Sequence, residues 1–201
     1  MSRFYDSHSR ELAEGYHRMP PEAVHRAWLP LLDRRTPGLA CDIGAGSGRD
    51  ASWLAEKGWD LIAVEPSAGM REQAQESAHP KVTWLDDSLP ELRRLRAMGH
   101  RFDLILLSAV WMHLAPGVRE RAFRILAGLL KPGGDLVITL RHGSDDEENR
   151  KRGFHPVSAE ELEAFARSRA VVVSLRERHP DVGGRAHVDW ETVVLSLPDD
   201  E

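Results

Sequence analysis

Two carboxylates, three closely spaced glycines and one histidine carry the chemistry this sequence can do. Asp42 closes a short apolar run and is followed by Gly44-Ala45-Gly46-Ser47-Gly48 and then Arg49. Glycine adopts dihedrals closed to other residues and carries no Cβ, so such a turn lets a ligand approach the main chain closely. Glu65 ends the next apolar run, in Val64-Glu65-Pro66-Ser67. A carboxylate there can accept two hydrogen bonds from the vicinal diol of a ribose. The glycines read G-x-G-x-G. A dinucleotide turn reads G-x-G-x-x-G, and its third glycine would fall on Arg49, so the spacing opposes a nicotinamide cofactor. His113, in Trp111-Met112-His113, has the side chain best suited to move a proton near neutral pH; the alternative is a histidine that only shapes its pocket.

Positioning these groups requires an alternation of strands and helices. Strand-like runs fall at 38–43, 60–64, 81–85, 102–107 and 135–140, with two more at 170–175 and 188–195. Several are continuously apolar, as strands buried on both faces are. Between them, the apolar residues of 118–130 recur near a 3.6 period, and Lys131-Pro132-Gly133-Gly134 ends that helix. Ser158-Ala159-Glu160-Glu161 reads as a capping box opening a helix to about residue 169. The expected fold is α/β: a Rossmann-like, seven-stranded, mostly parallel sheet with helices on both faces and an antiparallel C-terminal strand. Residues 1–37 read as helices over about 7–18 and 21–34, broken at Pro20-Pro21. They are expected to cap the carboxyl ends of the strands, where open α/β sheets bind ligands, or else simply to pack on the sheet. Residues 38–201 then form the main part of one compact domain.

Composition narrows the function class. The chain has 201 residues, enough for one sizeable core, and its 41% hydrophobic and 29% charged residues are ordinary for a globular domain. No run approaches the ~20 apolar residues of a membrane span, and the N-terminus lacks a signal-peptide core. A net charge of −5 disfavours a broad nucleic-acid surface. The single cysteine, Cys41, forbids an intrachain disulfide and fits a reducing, cytoplasmic compartment. The ten histidines show no close ligand spacing, so no metal is expected.

In order and spacing, the motifs of residues 38–140 resemble the class I S-adenosylmethionine-dependent methyltransferases. Asp42 with Gly44, Ala45, Gly46, Gly48 and Arg49 matches the family's first motif. The resemblance implies that this turn passes under the amino-acid moiety of S-adenosylmethionine. Glu65, followed by Pro66, matches the acid that holds the ribose, and Met70 the apolar residue near the adenine; a core methionine is the alternative. Asp86 and Asp87 both stand where the family has an acid that accepts a hydrogen bond from the adenine amino group, and the sequence leaves the choice open. Phe102 to Leu114, with Ser108 and Val110, resembles the fourth strand and the loop that faces the transferred methyl. The Asn/Asp-Pro-Pro-aromatic signature of many amino-group methylases is absent, as is a cysteine placed for cytosine-C5 methylation. A weaker likeness, through Gly48-Arg49-Asp50, Trp53-Leu54-Ala55 and Asp181-Val182-Gly183-Gly184, is to small tellurite-resistance and thiol-type methyltransferases.

The resemblance implies methyl transfer by in-line displacement to a small-molecule acceptor, releasing S-adenosylhomocysteine. Methylation of RNA or protein and non-catalytic cofactor binding are the alternatives. His113 is the candidate base. Tyr5, Tyr16, Trp111, Arg141 and His142 are candidate substrate contacts, with His17, His155 and Arg185 behind them. An arginine at Arg141 could hold a carboxylate or phosphate bidentately. The charged segment 144–153 is either a solvated loop or a lid over the substrate end.

Overall fold

Continuously apolar strands occupy the middle of the sheet because both of its faces are covered. The computed structural model describes residues 2–76 and 79–199. The N-terminal segment holds α1 (Ser2–Ser7), α2 (Ser9–His17) and two single turns, α3 (Pro21–Val24) and α4 (Leu29–Leu32). Alternation follows: β1 (Leu39–Ile43), α5 (Arg49–Glu56), β2 (Asp60–Val64), α6 (Ala68–Gln75), β3 (Val82–Leu85), α7 (Arg93–Ala97) and β4 (Phe102–Leu107). After a 3-10 turn at Trp111–His113 come α8 (Pro116–Leu129), β5 (Leu130–Gly143), α9 (Asp146–Arg152), α10 (Ala159–Arg167), β6 (Val172–Pro180) and β7 (Val188–Ser196).

The seven strands form one sheet in the order β3-β2-β1-β4-β5-β7-β6. Strands β1 to β5 pair in parallel, and β7 runs antiparallel to both β5 and β6. This is the expected Rossmann-like sheet with its antiparallel C-terminal strand. The order reverses between β1 and β4, and Asp42 stands there beside Ala63 on one side and Leu106 on the other. One face packs Cys41, Ile43, Ile105, Leu107 and Ile138 against Phe123 and Leu126 of α8 and Leu162 of α10. The other packs Ala40, Leu104, Leu106 and Val137 against Trp28, Trp53 and Leu54. Phe102 joins the first face out of parity because the pairing with β5 shifts register between Phe102 and Leu104.

Three local expectations give way. The helix expected over 21–34 is two separate turns: Pro30 has no N–H to donate back to the preceding turn and is accommodated in the first turn of α4. Strand β6 continues to Pro180, well past residue 175. Its exposed second half is rich in Arg and Glu and shows no apolar signal, but the ladder with β7 holds it. The segment 144–153 is not a loop. Asp145 caps α9 by accepting from the N–H groups of Glu147 and Glu148, acids fill the first turn, bases the last, and Gly153 closes it at φ 66°.

Candidate active site

The site is built from the turn after β1. The N–H groups of Gly44 and Ala45 both donate to the carbonyl of Val64, at 2.7 and 3.0 Å, which folds the turn over the end of β2. Gly44 and Gly48 both have φ +75°, and there is no space for a side chain at either. A Cβ on Gly44 would stand 2.5 Å from Val110, and one on Gly48 2.9 Å from the Trp84 ring. At Gly46 the nearest atoms belong to Met70 and Tyr16, at 3.6 and 3.8 Å, so main chain is open to the cavity there. Met70 itself is buried under the turn and does not line the cavity.

The two carboxylates face the same space. Glu65 is fixed by the N–H of Gly46 on Oε2 (2.8 Å) and of Ser67 on Oε1 (2.7 Å), leaving each oxygen a free lone pair. Burial still holds its carboxyl above the usual range. Asp42 is 1% exposed, and its Oδ2 has no hydrogen-bond partner among the described residues. Burial, then the nearby Asp50 carboxylate, pushes Asp42 well above the ordinary carboxylate range. Burial would lift Asp50 likewise, but the His25 ring and the Arg49 guanidinium outweigh it and hold Asp50 well below that range. Arg49 grips Asp50 through Nε (2.7 Å) and Nη2 (3.0 Å). His25 accepts from Trp28 Nε1 at Nδ1 (3.1 Å) and turns Nε2 to within 3.0 Å of Asp50. A buried cluster thus ties the N-terminal segment to the helix that follows the glycine turn.

A cavity of about 750 Å³ runs along the carboxyl ends of the parallel strands, from Asp87 after β3 to His179 at the end of β6. Its size lies within the ~300–1,000 Å³ of small-molecule sites. Of the two adjacent acids, Asp87 lines it, while Asp86 points outward to Arg71 and Arg94. Asp87 also accepts from the N–H groups of Ser88 and Leu95. Beyond β4, Ser108, Ala109 and Val110 line the middle of the cavity. Ala109 is held at φ 59° while its N–H donates to Thr139 Oγ1 (2.8 Å), an unusual backbone where the chain rounds the site.

The far end is closed by α1, α2 and α9. Tyr5 places its hydroxyl 2.9 Å from His113 Nε2 and 3.0 Å from Arg152 Nη2. His113 Nδ1 is buried without a partner among the described residues, and burial, then the Arg152 charge, pushes the ring down to about 4. Burial pushes the Tyr16 hydroxyl up to about 12, so it remains a donor. Asp6 of α1 accepts from Ser67 Oγ (2.6 Å) and Gly69 N–H (3.2 Å), pinning α1 to the start of α6. Arg141 lines the cavity with its guanidinium on Asn149 (2.9 Å) and Glu148 (2.5 Å).

The cavity therefore gathers Asp42, Gly44, Ala45, Gly46, Arg49, Glu65, Pro66, Asp87, Ser108, Val110, His113, Tyr5, Tyr16, Arg141 and Arg185. It leaves out Gly48, Met70 and Asp86, together with Trp111, His142, His17 and His155. Trp111 is fully buried beneath α10, donating to Glu161 at 3.4 Å, because the 3-10 turn, with three residues per turn, sends Trp111 to the core and Met112 and His113 to the cavity. His142 faces Glu191 across the antiparallel ladder, and His17 is exposed. Sequence reasoning missed Arg152, Phe154 and Asp6. The cap signals at Asp145 and Gly153 mark α9, which would have put Glu148 and Arg152 one turn apart on one face.

The chain's likeness to known proteins lies among methyltransferases. A family model described as a methyltransferase domain matches residues 40–134. The chain is 26% identical over 182 residues to an uncharacterized methyltransferase of Geobacillus kaustophilus, covering 87% of this chain and 79% of that one. It is 32% identical over 120 residues to an uncharacterized methyltransferase of Mycobacterium bovis, covering 59% of this chain and 44% of that one. Among solved structures, it resembles the Burkholderia thailandensis 1,6-didemethyltoxoflavin-N1-methyltransferase, solved with 1,6-didemethyltoxoflavin and S-adenosylhomocysteine. The TM-score is 0.72 at 20% identity, over 98% of this chain and 87% of that one. The N-methyltransferase NodS of Bradyrhizobium japonicum superposes with a TM-score of 0.68 at 18% identity, over 89% and 96%.

Proposed function

We propose that the cavity binds S-adenosylmethionine and transfers the methyl group to a small-molecule acceptor; the match of a methyltransferase-domain model to residues 40–134 and the likeness of the fold to solved methyltransferases support this. The observation that carries this reading is Asp42, a buried carboxylate with an unpartnered oxygen, next to the open main chain at Gly46. An ammonium would satisfy it, and Glu65 stands ready for a ribose diol. The donor set thus fits an amino-acid nucleoside, and Asp87 lies on the side where the base would sit. When bound, the cofactor supplies an electrophilic sulfonium methyl.

The chain's own part is binding, orientation and exclusion of water. Asp42 and the glycine turn hold one end, Glu65 the middle, and the Ser108–Val110 loop lines the path to the acceptor. His113, neutral at physiological pH, lines the same cavity and is the candidate proton acceptor. Its basicity is low, which suffices when the proton leaves after the new bond has made the attacking atom strongly acidic. Tyr5 then relays hydrogen bonding between His113 and Arg152. Residues 1–37 act as a cap over this end, and α9 as its lid. A small acceptor is favoured over RNA or protein because α1, α2 and α9 wall the cavity. Among the described residues no helix is long and apolar enough to cross a membrane; with a buried free Cys41, we assign the chain to the cytoplasm.

Calorimetric titration with S-adenosylmethionine, S-adenosylhomocysteine and NAD tests the cofactor. The first two are expected to bind, and binding of NAD alone overturns the reading. S-adenosylhomocysteine release, assayed across thiols, phenols, carboxylates, amines and RNA, then identifies the acceptor class.

A further inference from the structure

The two ends of the cavity carry opposite charge. Towards β1 and β2 stand Asp42 and Glu65, while Arg49 is already answered by Asp50 at 2.7 Å. Towards β5 and β6 stand Arg141, Arg152 and Arg185. Arg141 is paired with Glu148 (2.5 Å) and Arg185 with Asp181 (2.8 Å). Arg152 is different. Among the described residues no carboxylate lies within ion-pair distance of it. Its polar partners are phenols, Tyr5 at 3.0 Å from Nη2 and Tyr16, and its Nε is buried without a partner. The rest of its guanidinium lies on aromatic rings: Phe4 at 4.8 Å, Phe154 at 5.1 Å and Tyr5 at 5.5 Å. Arg141 lies 4.7 Å from the same Phe154 ring, so two cations share one ring while Glu148 answers only one of them.

A half-buried guanidinium without a counter-ion is an unsatisfied charge. Aromatic faces attract it by about 1 kcal/mol, far less than a desolvated carboxylate does. Position also separates this charge from the cofactor end, where Asp42 and Glu65 favour a cation.

We propose that the acceptor is a small monoanion, an aromatic carboxylate, whose carboxylate docks on Arg152 while its ring lies among Tyr5, Tyr16 and Phe154. One uncompensated positive charge calls for one negative charge, and a guanidinium fork matches a carboxylate in shape. The aromatic walls favour a planar body. This assignment rests on the methyl-transfer reading of the same cavity, and it names the acceptor that reading leaves open.

The test is a calorimetric titration of the chain, with and without S-adenosylhomocysteine. Benzoate, salicylate and anthranilate are compared with their neutral amides. The acids are expected to bind about 10- to 100-fold tighter than the amides. Arg152→Gln should abolish that preference and leave the Kd for S-adenosylhomocysteine within about two-fold, which also reports an intact fold. Arg152→Lys should keep part of the preference. Equal binding of acids and amides, or no binding of any acid, overturns the proposal. So does an Arg152→Gln chain that keeps the preference and loses S-adenosylhomocysteine instead. Failure of the unsubstituted chain to bind S-adenosylhomocysteine counts against the cofactor reading alone, since the titration without it still decides the anion preference.

Discussion

Asp42 and His113 are both held away from their ordinary protonation by burial, in opposite senses of charge. Asp42 resists ionising, so its contribution to stability is full at low pH and declines as pH climbs through its raised folded value. Asp42→Asn is expected to weaken S-adenosylmethionine binding about 10- to 100-fold, because the partner of the ammonium is lost. Unfolding of the ligand-free variant in urea should show no loss of stability, since the penalty of burying a charge goes with it. His113 resists protonation: its folded value is about 4 against an ordinary 6.5. Its contribution is therefore lost as pH falls from 6.5 towards 4 and is complete above 6.5. His113→Asn should flatten that part of the stability profile by roughly 3 kcal/mol. Turnover of the variant should fall about 10- to 100-fold with unchanged cofactor affinity. A rate limb near pH 6.5 that disappears in His113→Asn would contradict the lowered value.

Between elements, two of the joints that hold the cap bear directly on the site. In one, Trp53 Nε1 donates to Glu22 (2.8 Å), and the His25 ring stacks on the Trp53 ring at 5.3 Å while facing Asp50. Removing the imidazole leaves a buried carboxylate with Arg49 as its only cation among the described residues. His25→Ala is expected to cost about 2–3 kcal/mol in chemical denaturation, and to weaken cofactor binding as Arg49 loosens. The other joint is the contact of α9 with α1 through Arg152 and Tyr5. The exposed Arg150 and Lys151 of α9 give trypsin a direct probe of this helix. If α9 closes over bound ligand, cleavage there should slow when S-adenosylhomocysteine is present; equal cleavage rates would make α9 a fixed wall.

Across the whole molecule, one sheet carries both faces of the core and the full length of the cavity along one edge. Trp28 of the N-terminal segment packs on the same face as Leu106 of the central strand β4. The cap and the sheet should therefore unfold together. Far-ultraviolet circular dichroism and tryptophan fluorescence are expected to give one coincident urea transition, and Leu106→Ala should shift both by the same 2–5 kcal/mol or so. Separate transitions would make residues 1–37 an independent unit.

The alternation of apolar runs with periodic segments was sufficient for the sheet, because strands buried on both faces must be apolar throughout. The turn after Asp42 was equally legible, since left-handed backbone and close packing at Gly44 and Gly48 admit no other residue type. Glu65 was readable for a similar reason: it ends the strand beside that turn. These requirements are local, and residue type records them. Orientation is not local. Asp86 and Asp87 are neighbours with the same side chain, and only the packing of α7 turns one into the cavity and the other to Arg71 and Arg94. Trp111 and His113 share one turn, yet core packing takes the first and the cavity the second. Arg152 read as one more base in a solvated run. Its lack of a counter-ion among the described residues exists only because α1, α9 and the loop after β4, far apart in the chain, meet at one point, where burial decides what a charge costs.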